Sequence, residues 1–214
     1  MCFSAPASFS ASAVLMIIGV LTINKTKTNK ELLFASIPIL FAIQQLVEGL
    51  LWLELAGGGW WLLSGSDAQH FLTQSYAVFV GVVWPILPSL SLLLLEPKPP
   101  RKNSMLVILA VGVGIAIYTL NQITIYPISA SVAENCITYG YPTPQPHFML
   151  VFYVIATCAA FFISSHRFVW WLGMVNIVAF SVSYHFYSYD LTSVWCFFAA
   201  AISGLIYWHF HKRT

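Results

Sequence analysis

Charge is what this sequence has least of. Only 7% of its 214 residues are Asp, Glu, Lys or Arg, whereas 59% are hydrophobic and the mean hydropathy is +0.80. A water-soluble domain carries charge on roughly a quarter of its residues. This shortage excludes a soluble globular protein, and a net charge of +2 without a basic patch argues against a nucleic-acid partner.

The cysteines and lysines also lack the patterns of several known sites. The four cysteines are Cys2, Cys136, Cys158 and Cys196, and no two form a CxxC pair. This spacing excludes a thioredoxin-like redox motif and a zinc ribbon. No lysine falls inside an apolar segment, so a retinal Schiff base is excluded as well. The first apolar run is followed, not preceded, by lysines, which predicts a retained helix rather than a signal peptide.

Long apolar runs are what the sequence has in abundance, and each is long enough for a transmembrane helix. They predict an all-α fold: one domain, residues 1–214, forming an integral membrane bundle of seven transmembrane helices. The predicted helices are Pro6 to Ile23, Leu32 to Leu55, Phe71 to Leu95, Ser104 to Gln122, His147 to Ser165, Phe168 to Phe186, and Val194 to Phe210.

The basic residues predict the orientation of the bundle. All nine fall in alternate connections or in the C-terminal tail, and basic loops stay on the cytoplasmic side of a membrane. We therefore expect the N-terminus outside and the C-terminus in the cytoplasm. The longest outer connection, Ile123 to Pro146, is expected to form an ordered cap or hairpin. Pro38, Pro85 and Pro88 are expected to bend the second and third helices.

Glu48 is the most informative residue, because it is the only acidic residue well inside an apolar segment. A buried charge costs at least ~2 kcal/mol in a membrane, so such a group normally faces the bundle interior and has a partner or a task. Gln44 and Gln45 precede it by four and three residues and share its helical face. We expect either a hydrogen-bonded clasp between helices or a functional site with Glu48 as its catalytic or ligand-binding group.

Polar residues in the apolar segments concentrate in the predicted outer halves. Besides Gln44, Gln45 and Glu48, the candidate ligand-binding residues are Gln74 and Ser181. The inner halves are almost wholly apolar. This asymmetry predicts a polar cavity open to the outside, and it disfavours a transporter, which needs a polar route on both sides of its site.

Three histidines, His70, His147 and His185, also fall on the predicted outer side. Together with Glu48 they are candidate ligands for a metal ion such as zinc or copper, and bis-histidine haem ligation is an alternative. The remaining reading is that they are interfacial residues at helix ends. Cys2 is a further candidate: it can chelate a metal, pair with Cys136 in a disulfide, or remain an ordinary thiol.

Three short stretches carry a resemblance to a family. They are Met1-Cys2-Phe3-Ser4-Ala5, the Gln44-Gln45-x-x-Glu48-Gly49-x-x-Trp52 element, and Ser193-Val194-Trp195-Cys196-Phe197-Phe198-Ala199-Ala200. Together they resemble an uncharacterised bacterial family of seven-helix membrane proteins that begin Met-Cys-Phe-Ser. The resemblance implies the same fold along the whole chain and a bacterial inner-membrane location, and it implies no activity.

A second resemblance is to the seven-helix membrane hydrolases that include alkaline ceramidases and adiponectin-receptor-like proteins. Ser181-x-x-x-His185 is similar to their Ser-x-x-x-His element, but their His-x-x-x-His pair has no counterpart, because His209 and His211 are two residues apart. In such a hydrolase, zinc would acidify a bound water and Glu48 would accept its proton.

Three functions therefore follow from the sequence as expectations. The first is a sensor or binding protein that takes a small ligand or metal ion from the outer side into a cavity around Glu48. The second is a membrane-embedded, metal-dependent hydrolase. The third is a structural membrane subunit of a larger complex, with the Gly112-Val113-Gly114 face of the fourth helix packing within or between chains.

Overall fold

The protein is mostly helical. The computed structural model describes residues 4–57, 66–126, 128–133, 136–140, 147–187 and 190–212, and for His147 the backbone alone. The helices and strands, in chain order, are α1 (Ala5–Ile23), α2 (Asn29–Ala35), α3 (Ile37–Leu55), α4 (Ser66–Val78), a π-helical segment (Phe79–Val83), α5 (Trp84–Leu95), α6 (Pro99–Ile125), β1 (Ser129–Ala133), β2 (Cys136–Gly140), α7 (His147–Ile163), α8 (Arg167–Phe186), α9 (Leu191–Ser203) and α10 (Leu205–His211).

Within the described residues these elements form seven successive helical rods, because α2 runs into α3, α4 into α5, and α9 into α10. Six of the rods are long and apolar enough to cross a membrane. The remaining rod, α7, is apolar over Phe148–Ile163 but shorter. A protein with these helices is a membrane protein.

The predicted second helix is divided into α2 and α3, with the break at Ser36. Pro38 occupies the first turn of α3. Its ring has no N–H and clashes with the carbonyl four residues earlier, so a straight helix cannot continue through it. At the break, the Ser36 hydroxyl donates a hydrogen bond to the Leu33 carbonyl at 2.8 Å.

Pro85 produces the π-helical segment in the third rod. The Trp84 N–H bonds to the Phe79 carbonyl, five residues back. The Val80 carbonyl would then need the N–H of residue 85, which proline lacks. The hydroxyl of Tyr153 on α7 donates to the Val80 carbonyl at 2.9 Å instead. A carbonyl freed by proline thus becomes a link between two rods.

Tyr153→Phe is therefore expected to lower the unfolding free energy by about 0.6–1.7 kcal/mol, the range for hydrogen bonds between membrane helices. Tyr184→Phe is the matched control, because Tyr184 is exposed on α8. Equilibrium unfolding in mixed micelles measures both variants. Equal stability of the two would show that the Val80 carbonyl does not depend on Tyr153.

The strands β1 and β2 form an antiparallel hairpin, with Ala133 paired to Cys136 and Ser129 to Gly140. The hairpin lies in the connection between α6 and α7, where the sequence predicts a cap or hairpin. We call the end of the bundle that carries it the hairpin end. The other end, where α1–α2, α5–α6 and α7–α8 connect and α10 finishes, carries the described basic residues and is called the basic end.

The main hydrophobic core lies between the rods in the middle of the bundle and towards the basic end. Its buried members include Phe34, Phe41, Leu92, Met105 and Phe161. A smaller cluster at the hairpin end joins Leu51 and Leu72 to Ala130 and Ile137 of the hairpin. The hairpin is therefore packed onto the helices.

Candidate functional site

Glu48 lies inside the bundle on α3, with 2% of its surface exposed. Gln44 and Gln45 share its buried face, each with 0% exposure, because residues three and four apart in a helix lie side by side. The neighbouring Gly49 lets α1 approach, since a Cβ there would come within 2.9 Å of the Phe9 ring. The carboxylate thus faces other helices rather than lipid.

Two neutral side chains bind the carboxylate. The Ser193 hydroxyl, from the first turn of α9, donates to Glu48 Oε1 at 2.5 Å, and Gln45 Nε2 donates to Oε2 at 3.0 Å. Each carboxylate oxygen therefore has one donor. The bond to Ser193 joins rods that are 145 residues apart in the chain, so Glu48 fastens the last rod to the second.

Gln44 extends this group towards the bundle centre. Its Oε1 accepts a hydrogen bond from the Trp84 indole N–H at 2.6 Å, and Trp84 stacks on Phe41 with ring centroids 3.8 Å apart. Gln44 Nε2 and the Tyr76 hydroxyl are buried without an oxygen or nitrogen partner, and the Cys196 thiol is adjacent to both. We call Gln44, Gln45, Glu48, Trp84 and Ser193 the Glu48 cluster.

The hairpin covers the Glu48 cluster from its end of the bundle. Tyr139 of β2 stacks flat on Tyr76, with centroids 4.5 Å apart and planes at 2°. Thr138 donates to the Asp190 carboxylate at 2.6 Å, just before α9. Among the described residues, the hairpin therefore packs over Tyr76 beside the Glu48 cluster, and the polar cavity open to the outside stays a prediction.

A cavity of about 70 Å³, partly open on one side, lies beside the cluster between α3, α5 and the last three rods. Its walls are mostly apolar side chains, among them Phe41, Phe161, Leu172 and Ile206. Trp84 and Cys196 line it as well, and both contact Gln44, whose own side chain lies behind them. We call it the interior cavity. Since one water needs about 10–15 Å³, it admits a chain of several non-hydrogen atoms.

One further polar group lines the interior cavity. Asn176 of α8 accepts a hydrogen bond from the Trp195 indole N–H at 3.1 Å and donates to the Cys158 sulfur at 3.4 Å. Trp195 packs edge-on against Tyr153 and Phe180. These contacts join α7, α8 and α9 and fix the large side chains on that side of the cavity.

Two of the predicted ligand-binding residues lie outside the Glu48 cluster. Gln74 uses both ends of its amide on Ile128, donating to the carbonyl at 2.8 Å and accepting from the N–H at 3.4 Å. It therefore ties α4 to the chain entering the hairpin. Ser181 is exposed on α8 and donates to the Ile177 carbonyl of its own helix at 2.9 Å.

The predicted metal ligands do not come together in the part of the chain that the structure describes. His70 and His185 are both exposed, and no group of three His, Cys, Asp or Glu residues there could hold a metal ion. The side chain of His147 and all of Cys2 lie outside the described residues. The metal, haem and hydrolase hypotheses gain no support from the described side chains.

The cysteines divide into two kinds. Cys136 at the start of β2 is disulfide-bonded, whereas Cys158 and Cys196 are buried free thiols. Because Cys2 lies outside the described residues, the alternatives for its thiol stay predictions.

We expect a Cys2–Cys136 bond, because Cys2 is the one cysteine of the sequence besides these three. Non-reducing digestion and mass spectrometry should then release those two peptides linked. Cys2→Ser should leave Cys136 open to alkylation, and Cys158→Ser is the control that should not. If Cys136 stays disulfide-bonded in Cys2→Ser, this assignment is wrong.

Sequence reasoning finds Gln44, Gln45 and Glu48 but not their partners. Ser193 stands in the Ser193-Val194-Trp195-Cys196 stretch of the family resemblance, and that stretch was the one available signal for it. Trp84 gives no signal, because a tryptophan beside proline in an apolar run is typical of packing. Tyr76 is likewise one aromatic residue among many.

A second buried carboxylate lies at the basic end, just beyond α5. Glu96 accepts hydrogen bonds from the N–H of Ser165 at 2.7 Å, from its hydroxyl at 2.5 Å, and from the Lys98 N–H at 3.2 Å. Burial acts to raise the pKa of the Glu96 carboxyl, but these hydrogen bonds and the charge of Arg101 hold that pKa below its usual range. Glu96 thereby clasps the turn between α7 and α8 to the start of α6.

Comparison with known proteins gives a family and no activity. The whole chain, residues 1–214, matches a family of unknown function, DUF6629, and the chain belongs to that family. No curated protein and no solved structure matches it. The match agrees with the resemblance to an uncharacterised family, whose bacterial origin and Met-Cys-Phe-Ser start remain predictions.

Proposed function

We propose that this member of DUF6629 is an integral membrane binding protein that holds a small amphipathic molecule in the interior cavity, with a polar acceptor group against Gln44. The apolar body of the molecule lies among Phe41, Phe161 and Leu172. Its acceptor, a carbonyl, ether or hydroxyl oxygen, takes the hydrogen bond that Gln44 Nε2 has to offer.

The observation that carries the proposal is a cavity lined by Trp84 and Cys196, the two residues that contact Gln44, whose Nε2 is buried without a hydrogen-bond partner. A buried polar group without a hydrogen bond costs roughly 1–3 kcal/mol in a protein, and polar groups inside membrane spans usually mark a function. Glu48 and Ser193 fix the helix face that presents Gln44, and Trp84 fixes the amide by binding its oxygen. The free N–H group is thus held in a defined orientation.

The chemistry of the cavity decides between ligand classes. Its walls are apolar apart from a few groups, so a charged or strongly hydrated ligand would lose its water without compensation. An apolar chain with one acceptor loses little favourable hydration on entering the cavity. It also replaces empty space by van der Waals contacts. This favours an amphipathic molecule over the ion or polar ligand that the sequence alone suggests.

The proposal includes the topology expected from the sequence. All seven rods cross the bacterial inner membrane, with α7 as the shortest span, the hairpin end outside and the basic end in the cytoplasm. The support is the location of the lysines and arginines, which fall in loops that alternate with the hairpin-end connections. A molecule dissolved in the bilayer then reaches the interior cavity without crossing water.

A matched pair of substitutions on α9 tests the proposal. Ala199 lines the interior cavity, whereas Ala201, two residues on, is exposed on the same helix. Ala199→Leu should fill the cavity and abolish the retained molecule, and Ala201→Leu should leave it unchanged. Mass spectrometry of organic extracts of the purified proteins measures the retained molecule, which we expect in roughly equimolar amount in the wild type.

Two results would refute the proposal. One is wild-type protein that retains no small molecule in either of two unrelated detergents. The other is an equal amount of the molecule in Ala199→Leu and Ala201→Leu, which would mean that it binds elsewhere. Thermal unfolding of both variants shows that they are folded when the comparison is made.

A further inference from the structure

A second recess lies at the basic end of the bundle. It is formed by α2, the end of α5, the turn between α7 and α8, and α10, and its volume is about 170 Å³. None of its lining residues lines the interior cavity. It is therefore a separate candidate site; it does not depend on a ligand in the interior cavity, and only its cytoplasmic location rests on the topology proposed above.

The recess has an apolar floor and a polar rim. Phe34, Val169 and Phe210 are almost completely buried and form the floor. Thr28 and Lys30 are exposed at the rim on the α1–α2 side. A ligand with a polar head would thus place the head at the rim and its apolar part on the floor.

Two histidines complete the rim from the opposite side. Nε2 of His166 is buried and has no hydrogen-bond partner. Its position is fixed by the neighbouring Ser165, which Glu96 holds through two hydrogen bonds. His209 of α10 also lines the recess, with its ring stacked on Phe168 at a centroid distance of 4.5 Å. The His209 ring and the backbone beside His166 are thus held in place by groups outside the recess.

Lys30 and Glu31 are the charged residues among the lining besides the histidines, and their formal charges balance. Glu31 is the one carboxylate among its lining residues, and it already accepts a hydrogen bond from the Lys27 N–H at 2.8 Å. With the Glu31 carboxylate already engaged, Lys30 at the rim and the unpartnered Nε2 of His166 are the groups that suit an anionic oxygen. Within the described ranges no group of three His, Cys, Asp or Glu residues could hold a metal ion.

We propose that this recess binds a phosphate group through Lys30, His166 and Thr28. Lysine is a common phosphate binder, and charge-assisted hydrogen bonds to phosphate oxygens are the strong ones. The unpartnered Nε2 of His166 supplies a donor already inside the recess. In the proposed topology the site faces the cytoplasm, where the phosphate belongs either to a lipid headgroup of the inner leaflet or to a soluble compound.

The experiment uses two probes on the full-length protein. Inorganic phosphate is titrated into the protein in detergent and followed by thermal unfolding. Phosphatidic acid is offered in phosphatidylcholine nanodiscs, and its retention is measured by native mass spectrometry. The variants are Lys30→Ala and His166→Gln, and Lys102→Ala is the control because Lys102 is basic, lies at the same end and does not line the recess.

We expect wild type and Lys102→Ala to bind at least one probe, and each recess variant to bind it roughly tenfold more weakly. Binding of inorganic phosphate with this dependence assigns a soluble phosphate compound. Binding of phosphatidic acid alone, with the same dependence, assigns a lipid headgroup. The proposal is overturned if neither probe binds, or if the recess variants bind as well as Lys102→Ala.

Discussion

Glu48→Leu is expected to lower the unfolding free energy by about 2–4 kcal/mol, because it leaves the Ser193 hydroxyl and Gln45 Nε2 buried without an acceptor. A second effect acts in the same direction. In the unfolded membrane-inserted chain a carboxylate facing lipid is costly, and leucine removes that cost from the unfolded state. Equilibrium unfolding in mixed micelles measures the change.

A double-mutant cycle separates the Ser193 contact from general damage. Ser193→Ala should cost less alone than Glu48→Leu, and adding it to Glu48→Leu should cost little, because the contact is already lost. Ser203→Ala is the control on the same rod: its hydroxyl bonds the Ala200 carbonyl of its own helix, so its effect should add to that of Glu48→Leu. Full additivity for Ser193→Ala would contradict the assigned contact.

Gly112→Ala is the second substitution with a large expected effect. A Cβ at residue 112 would lie 2.0 Å from the Pro85 carbonyl oxygen and 2.8 Å from its carbon. Both atoms are backbone, so α5 and α6 must move apart, at a cost of about 1–3 kcal/mol or more. The thermal unfolding midpoint should fall accordingly.

Gly114→Ala is the matched control two residues along α6. A Cβ there would meet nothing within 4 Å, and alanine favours a helix over glycine by about 1 kcal/mol. Its stability should therefore equal or exceed that of the wild type. If both variants lose stability equally, the close contact between α5 and α6 is wrong. The predicted glycine face thus divides: Gly112 packs within the chain, and Gly114 faces open space.

Hydropathy identifies the rods, because a span must be apolar all round and about 20 residues long. Because every face of such a helix is apolar, hydropathy does not show which face of each rod points inward. Lipid-facing and buried faces are equally apolar, so the period that marks a soluble amphipathic helix is weak. Gln44 and Gln74 show the consequence: both are amides in apolar segments, yet one lies in the Glu48 cluster and the other ties the hairpin to α4.

Glu48 could be singled out from the sequence because a carboxylate in a membrane is costly, which predicts a buried position with a partner. Its partner Ser193 could not, since a serine costs little in any environment and the contact joins distant parts of the chain. The predicted metal site rested only on the expectation that three histidines lie on the same side of the membrane. His70 and His185 are exposed instead, the usual place for histidines at helix ends.

An experimental map of the protein in lipid nanodiscs, determined without added ligand, tests the central claim most directly. The account predicts continuous density for a small molecule in the interior cavity, with one atom within hydrogen-bond distance of Gln44 Nε2 and with Glu48 bonded to Ser193. A cavity filled by its own side chains, or Glu48 turned towards lipid, would contradict it.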